Sequence, residues 1–487
     1  MSTSETVSRE ELRGRVEPFL IERLNPHATA FDVHRFIPEP TWNRFDLGFK
    51  LLYLDALEHG GSAYADEVYQ AHIAAFSLGD MVEPGNEGKL GFDRFRADFQ
   101  KLNTEIAIKG FDASVSLVPL AEDGSILNAA HRVACAIRAG KEIAAVETGL
   151  DPMVFDYRFF AKRGMDEGDL DACAVRMVEA MPNAAVALLW PAAQGQDKAV
   201  DQLIGPLVYR RRVELTMAGG HNLLARVYQG EPWLGEAEAH FPGVRRKLMA
   251  CFSGRDPLRV LVFDAPPERD RVALKDDIRG IYGIGKSSIH ITDTHAEAVE
   301  LARLLFNANA RHFLDHAKPT AFAETGANVQ VVRDYLRDVG GAAGEVAFDT
   351  GMVMGVYGLR APGDIDVVTA LDEAGAPFEA HDAAYRDVGT QDLLNDPRHH
   401  FYFRGFKFLS LDVVRDLKKR RLAGRDREDL LLIEPLLKGQ SGKRGGLSLS
   451  LRVRMALLKV RRRAIKILFR LGVGETLRRW YRAVLRK

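Results

Sequence analysis

The chain has 487 residues, of which 46% are hydrophobic and 28% are charged, and its formal net charge is zero. This composition is typical of folded globular domains, and the length suits about three of them. Three scattered cysteines exclude a disulfide framework and a zinc cluster. The N-terminus is polar and no long uncharged apolar run occurs, so neither a signal peptide nor a spanning helix is predicted. We therefore expect a cytoplasmic, multidomain protein of the α/β (α+β) class.

Residues 1–95 are predicted to be mostly helical, with turns at Gly60-Gly61 and near Gly85. Residues 96–150 show a compact α/β pattern: a strand at 116–120, a turn at 122–124, and a helix that starts near His131-Arg132. A helix start exposes backbone N–H groups that favour phosphate, and an arginine there can clamp phosphate bidentately. This segment is therefore a predicted anion site.

The turn and the His-Arg pair resemble the ParB/sulfiredoxin-like nucleotide-binding fold, in which an acidic-glycine turn precedes G-x-H-R at a helix start. The resemblance covers roughly residues 105–140 and implies that Asp123, His131 and Arg132 bind a nucleotide or a phosphorylated substrate. Ala129 replaces the usual glycine, and Ala130 replaces the reactive cysteine of sulfiredoxins, so thiol chemistry is not expected. No helix-turn-helix pattern follows, which argues against DNA partition. The alternative is a buried histidine and an arginine that caps the core.

Residues 151–320 alternate between predicted strands, at 184–190 and 258–263, and a predicted helix at 296–307. No role is predicted for this central α/β region. Residues 280–287 fit the P-loop expression, but a predicted helix precedes them and a predicted strand follows, the reverse of what a P-loop needs. Around His290 and His295, capping of a helix by Asp293 or Thr294 with Glu297 is the preferred interpretation. The alternative is a ligand site at a strand end.

Residues 321–440 contain the most informative pattern. Thr350 and Gly351 form a small-residue turn before a predicted helix, Arg360 follows, and Asp364-Ile365-Asp366 leads into a strand. Alternation along a strand sends Asp364 and Asp366 to one face, so both can bind one divalent cation. Oxygen ligands suit Mg²⁺, which bridges to substrate phosphates. The alternative is a surface strand that contains D-x-D by chance.

This order resembles the nucleotidyltransferase superfamily, whose pattern is a glycine turn, a helix, an arginine and a D-x-D strand. A strand at 406–411 and a basic helix at 412–421 extend the likeness to minimal and toxin-type members. The resemblance implies Mg²⁺ (or Mn²⁺) on Asp364 and Asp366, with Glu379 as the third carboxylate and Asp382 as second choice. Thr350 stands where the first glycine is usual. The residues implied to bind a nucleoside triphosphate are Gly351, Arg360, Lys407 and Lys418.

The tail departs from the rest in charge. Residues 443–487 contain fifteen Lys plus Arg and one acidic residue, Glu475, which gives a formal +14 and leaves −14 on the remaining chain. A Gly-rich linker at 439–446 precedes two predicted basic amphipathic helices, the second with Trp480 and Tyr481 on its apolar face. This pattern predicts binding of residues 449–487 to an anionic membrane surface. Nucleic acid is the runner-up partner, and docking on the acidic body or on a second copy is the structural alternative.

Together these patterns predict a metal-dependent, nucleotide-utilising transferase, cytoplasmic and peripheral on the inner membrane face. The acceptor would be a sugar, a lipid-linked molecule or a polymer, as in surface polysaccharide synthesis. Two other classes stay open. In one, the chain is a kinase that uses the ParB-like site and carries a degenerate nucleotidyltransferase domain. In the other, it is a non-enzymatic nucleotide sensor that recruits partners to the membrane. A toxin-type action on tRNA is a variant of the enzyme hypothesis.

Overall fold

The computed structural model describes residues 5–83, 86–371, 375–385 and 387–438, with four single helical positions further on at 457, 460, 464 and 467. Helices alternate with three main sheets along this length, which confirms the predicted multidomain α/β class. Within the described residues, no helix combines the length and the apolarity needed to cross a membrane.

The first unit spans residues 5–180 and is built on one mixed sheet. Its elements are β1 (Glu5–Ser8), α1 (Arg9–Leu12), α2 (Pro18–Ile21), β2 (Ala30–Phe36), α3 (Asp46–Glu58), α4 (Ala63–Ser77), β3 (Val82–Glu83), β4 (Asn86–Leu90), α5 (Phe92–Lys109), β5 (Val118–Ala121), α6 (Ala130–Ala139), β6 (Ile143–Leu150), α7 (Tyr157–Ala161) and α8 (Glu167–Ala180). The strand order is β1-β2-β6-β5, with β5 and β6 parallel and the other pairs antiparallel.

Strands β1 and β2 lie in the region that was predicted to be mostly helical. In β2, Phe31 and Val33 are buried while Asp32 and His34 are exposed, which is the period-two pattern of a half-buried strand. Because β2 pairs with β6, the domain boundary expected near residue 95 runs through a single sheet. The predicted strand, turn and helix at 116–137 correspond to β5, its following turn and α6.

The second unit is an antiparallel sheet covered on both faces. Its elements are β7 (Ala184–Leu189), α9 (Asp197–Ile204), β8 (Leu207–Val213), α10 (Met217–Val227), α11 (Val244–Cys251), β9 (Leu258–Asp264), α12 (Arg271–Tyr282), β10 (Ile289–Ile291), α13 (His295–Leu305) and α14 (Ala308–His316). The strand order is β10-β7-β9-β8. Alternate residues of β7 enter two separate cores, Val186 and Leu188 on one side and Ala187 and Leu189 on the other. The strands predicted at 184–190 and 258–263 are confirmed as β7 and β9.

The third unit carries the D-x-D segment. Its elements are α15 (Ala323–Val339), β11 (Val346–Phe348), α16 (Thr350–Val356), β12 (Asp366–Thr369), β13 (Glu379–Ala380), α17 (Thr390–Asn395), β14 (His400–Phe403), β15 (Phe406–Leu409), α18 (Leu411–Arg421) and α19 (Asp426–Leu437). The strand order is β13-β12-β11-β15-β14. The pairs β12–β13 and β11–β15 are parallel, and the pairs β11–β12 and β14–β15 are antiparallel. The predicted strand at 406–411 and helix at 412–421 are β15 and α18.

Helix α14 joins the second unit to the third. Its Ala310 and Phe313 pack in the core of the third unit. The side-chain amides of Asn307 and Asn309 donate to the carbonyl of Pro397, at 2.9 and 3.1 Å. The two units therefore share apolar packing and backbone-directed hydrogen bonds.

Candidate functional site

The carboxylates of the D-x-D segment lie at one end of the strands of the third sheet, where β12 begins. The strand starts at Asp366, so Asp364 lies in the segment just before it. Strand β13 runs parallel to β12 and sets Glu379 opposite Asp366. The ligand atoms of Asp366, Glu379 and His381 all lie within 4.8 Å of one another. We call these three residues the carboxylate cluster; Asp366 is buried and Glu379 is exposed, so the cluster opens to solvent.

His381 is a member that sequence reasoning missed. Its Nδ1 lies 3.4 Å from Asp349 Oδ2, and its Nε2 lies 3.4 Å from Asp366 Oδ1, so the ring bridges two carboxylates. The hydrogen bond to Asp349, with the charges of both carboxylates, outweighs burial and raises the pKa of His381. The signal was available: Glu379 and His381 are two residues apart, the same spacing as in D-x-D.

Asp349 is a second buried carboxylate that the sequence patterns did not single out. It caps α16, where Oδ1 accepts the N–H of Thr350 and the hydroxyl of Tyr385, both at 2.6 Å. Thr350, in the place of the usual glycine, has φ of 28°, in the left-handed region. Its hydroxyl donates to Asp366. Burial raises the pKa of Asp366, and this hydrogen bond opposes that effect. The turn therefore orients the first carboxylate of the strand.

Gly351, Arg360 and Asp364 come together beside this turn. A Cβ atom on Gly351 would lie 3.9 Å from both Arg360 Nη1 and the Asp364 carboxylate. Asp364 is exposed and is not one of the three residues whose ligand atoms converge. The Arg360 guanidinium donates to both carboxylate oxygens of Asp429, at 2.8 and 3.1 Å. Arg360 thus borders the site while it is paired with α19.

The predicted phosphate-binding lysines have partners within the protein. Lys418 is buried, with Nζ 2.6 Å from Asp429 and 3.2 Å from Asp426. Lys407 donates to the carbonyl of Gly344 at 2.8 Å, and burial, followed by repulsion from Arg303, lowers its pKa to about 8. The structure therefore does not bring either ammonium group into contact with Asp366.

Arg421 is a cation near the carboxylates that the sequence patterns did not assign. It is held by Asp426, with two hydrogen bonds of 2.9 Å, and its side chain is 41% exposed. Hydrogen bonding to Asp426 raises the pKa of Arg421, and the charges of Asp349 and Asp366 add to the shift. A partly exposed guanidinium is thus close enough to the buried Asp349 and Asp366 to interact with their charges. Asp382, the second choice as third carboxylate, accepts instead from the Thr390 hydroxyl at 2.6 Å.

The three residues of the ParB-like segment have internal partners. The Oδ1 atom of Asp123 accepts from the N–H and the hydroxyl of Ser125, at 3.0 and 2.6 Å, as in an Asx-turn. His131 bonds to the Tyr69 hydroxyl at 2.9 Å, and burial holds its pKa well below the usual range. Arg132 pairs with Glu17 at 3.0 Å. These contacts correspond to the alternative interpretation of this segment, a buried histidine and an arginine that caps the core.

Two further motifs are explained by local structure. Residues 280–287 begin in the last turn of α12 and end shortly before β10, so the order is helix then strand, as predicted and opposite to a P-loop. Thr294 caps α13 through a hydrogen bond from the N–H of Glu297, and the Glu297 carboxylate accepts from His290 at 2.7 Å. The capping interpretation is confirmed.

A cavity of about 860 Å³ has Tyr385 in its lining, and the Tyr385 hydroxyl bonds to Asp349, which in turn contacts His381 of the carboxylate cluster. No residue of the carboxylate cluster itself lines this cavity. Polar groups of both signs and aromatic rings line it. Its lining includes Tyr64, Asp169, Asn309, Arg311 and Ser410.

Most of the basic tail lies outside the described residues, as do Trp480 and Tyr481. The four described positions are helical, and the side chains at Leu457, Val460 and Ile467 are exposed by 64, 63 and 56%. Compared with known proteins, the chain matches no protein-family model, no curated protein and no solved structure.

Proposed function

We propose that the chain is a metal-dependent nucleotidyltransferase that takes a nucleoside triphosphate and transfers its nucleotidyl group to a hydroxyl acceptor. One observation carries the proposal: the β12–β13 register, which sets Glu379 opposite Asp366 and His381 beside both. Two adjacent strands thereby supply three ligand atoms from a rigid support.

The three residues of the carboxylate cluster fit a hexacoordinate divalent cation. Octahedral ligands about 2.1 Å from the ion are roughly 3 to 4 Å apart. The 4.8 Å limit for Asp366, Glu379 and His381 is close to that range, so small side-chain rotations suffice. The two carboxylates suit Mg²⁺ or Mn²⁺, and the imidazole favours a transition-metal ion, so Mn²⁺ fits this mixed ligand set better than Mg²⁺. Because His381 must give up its proton to bind metal, cation binding competes with protonation.

The remaining residues would orient and neutralise the substrate. Thr350 fixes Asp366, and Arg421, the partly exposed guanidinium, would bind a phosphate oxygen through Nη1, because its Nε and Nη2 bond to Asp426. When bound, the cation would supply charge neutralisation on the phosphate oxygens. The acceptor hydroxyl attacks the α-phosphorus and loses its proton to water, the bond from that phosphorus to the bridging oxygen breaks, and pyrophosphate leaves.

The cavity beside Tyr385 suits a sugar as acceptor. A sugar hydroxyl both donates and accepts hydrogen bonds, and the lining offers carboxylate, amide, guanidinium and hydroxyl groups, as in Asp169, Asn309, Arg311 and Ser410. Tyr64 adds an aromatic face. Asn309 already donates to the carbonyl of Pro397 and Arg311 already pairs with Asp171, so a sugar would use the remaining hydrogen-bonding atoms of these groups.

The tail would hold the protein at an anionic membrane surface. Leu457, Val460 and Ile467 are exposed apolar side chains at helical spacing, within a segment whose formal charge is +14. We expect the full chain to sediment with vesicles that contain anionic lipid, and a chain ending at residue 438 to stay in the supernatant. Equal binding to neutral vesicles would contradict an electrostatic attachment.

The test of transfer uses purified protein, Mn²⁺ or Mg²⁺, each of the four nucleoside triphosphates labelled at the α- or the γ-phosphate, and cell extract as acceptor source. We expect label from the α-position to reach the acceptor, and Asp366→Asn to abolish it. The matched control is Asp334→Asn, a carboxylate of α15 that contacts Gln330 and Arg337. Label from the γ-position that is retained in Asp366→Asn would refute the proposal and favour the kinase hypothesis.

A further inference from the structure

A second cavity, of about 640 Å³, lies between the second and third units. Its lining comes from α10, α13, α15 and the β14–β15 hairpin, and no residue of the carboxylate cluster takes part in it. Its volume is in the range of small-molecule sites. Its arginines are Arg226, Arg303, Arg333 and Arg404. We call it the arginine cavity.

The arginine cavity has an excess of positive charge. Arg226 pairs with Glu300, and Arg303 pairs with Glu179 at 2.7 Å. Among the described residues, no carboxylate forms an ion pair with Arg333 or Arg404. Burial lowers the pKa of Arg404, and repulsion from Arg226 and Arg333 lowers it further. Two guanidinium groups without a carboxylate partner, Arg404 half-buried and Arg333 exposed, therefore line one cavity.

Aromatic rings fix the guanidinium groups in position. Arg303 lies over the Tyr402 ring at 4.2 Å, and Arg404 lies over the Phe403 ring at 5.5 Å. Arg333 lies over Phe406 at 4.8 Å. Such cation–π contacts hold the donors in place before a ligand arrives, which lowers the entropic cost of binding.

Arg404 lies in a turn position where arginine is uncommon. Strands β14 and β15 pair through Phe403 and Phe406, so Arg404 and Gly405 form a two-residue hairpin turn. Their φ angles are 52° and 84°, both positive, as in a type I′ turn. The first position of that turn favours Asn, Asp or Gly, and an arginine there is strained. Strain at a residue that lines a charged cavity is typical of binding sites.

We propose that the arginine cavity binds a small molecule that carries two or three linked phosphates, such as a nucleoside diphosphate. The planar forks of Arg333 and Arg404 match phosphate oxygens, and their two positive charges offset part of the charge of a diphosphate. One N–H of Arg333 donates to the carbonyl of Arg404 at 2.6 Å, which leaves its other N–H groups to bind phosphate. The site is separate from the carboxylate cluster, so the inference does not depend on the proposed transferase activity.

The test is calorimetric titration of the full chain with inorganic pyrophosphate, ADP and UDP in buffer with EDTA. EDTA suppresses metal-dependent binding at the carboxylate cluster. We expect Arg404→Asn to weaken binding at least tenfold, while its melting temperature stays equal or rises because Asn-Gly suits the turn. Arg333→Gln should also weaken binding. The control is Arg337→Gln, on the same helix but 69% exposed and paired with Asp334.

The outcomes separate the ligand sources. Equal affinity for pyrophosphate and ADP would assign the site to the diphosphate alone, and tighter binding of ADP or UDP would assign it to a nucleoside diphosphate. Binding that persists in Asp366→Asn supports a site of its own, whatever that variant does to transfer. Wild-type affinity in Arg404→Asn, or no binding of any of the three ligands at millimolar concentration, would overturn the proposal.

Discussion

Replacing Lys418 by methionine separates a structural role from a phosphate-binding role. Lys418 is 1% exposed, and its ammonium contacts the buried carboxylates of Asp426 and Asp429. Breaking a buried pair costs about 3 to 5 kcal/mol because a charge is left without its partner. Asp429 keeps Arg360 and Asp426 keeps Arg421, so the loss lies at the lower end, about 3 kcal/mol.

The third unit is close to 120 residues long, for which about 1 kcal/mol shifts the melting temperature by roughly 4 °C. We therefore expect Lys418→Met to lower the transition of this unit by about 12 °C in differential scanning calorimetry. Lys419→Met is the matched control: its side chain is 50% exposed and pairs with Glu434, so the loss should be below about 1 kcal/mol. An unchanged transition combined with weaker nucleotide binding would refute this reasoning and restore a phosphate-binding role for Lys418.

Three further predictions follow from burial, packing and titration. Gly48→Ala should cost about 2 kcal/mol in urea denaturation, because its Cβ would lie 2.5 Å from Cys173 Sγ, and Cys173→Ala should relieve part of the loss. Burial raises the pKa of Asp169 to about 6, so the folded state holds its proton more tightly than the unfolded state. The resulting stability is present below about pH 4 and is lost as pH rises through about 6. Urea denaturation at pH 4 and at pH 7 measures this loss, and Asp169→Asn should reduce the difference in unfolding free energy between the two pH values by about 2 kcal/mol. Mn²⁺ affinity, measured by calorimetry, should rise with pH as His381 loses its proton, and His381→Gln should flatten that rise.

Local patterns were enough to predict a strand in the D-x-D segment and the neighbouring helices, and the structure has β12, α16 and α18 there. The alternation expected to set Asp364 and Asp366 on one strand face was wrong, because β12 begins at Asp366 and Asp364 lies before it. The partners of Arg360 and Lys418 depend on where α19 packs against α18, which no spacing in the sequence specifies. Glu379 and His381 have the same spacing as D-x-D, but only the pairing of β12 with β13 brings His381 to Asp366.

Of the first sheet only β5 was predicted, and the pairing was missed because the strands are distant in the sequence. Strand β2 pairs with β6, which lies more than a hundred residues further along the chain. The alternation of Phe31 and Val33 signalled a strand, but nothing local identified its partner. The His-Arg pair shows the same limit: the contacts of His131 with Tyr69 and of Arg132 with Glu17 join segments that the sequence does not connect.

Asp349 and Arg404 lie at opposite ends of the parallel pair β11–β15, and the N–H of Asp349 donates to the carbonyl of Asp366 of the carboxylate cluster at 2.9 Å. Asp349 directly follows β11, whereas Arg404 precedes β15, and the register pairs Ala347 with Lys407. Arg404 is therefore level with residue 344, five positions before Asp349, which corresponds to roughly 16 Å along the strands. Lys407 points to neither carboxylate of the cluster and instead contacts the carbonyl of Gly344. A phosphate bound between Arg333 and Arg404 would thus be held apart from the α-phosphorus at Asp366, and the two sites would serve two different molecules.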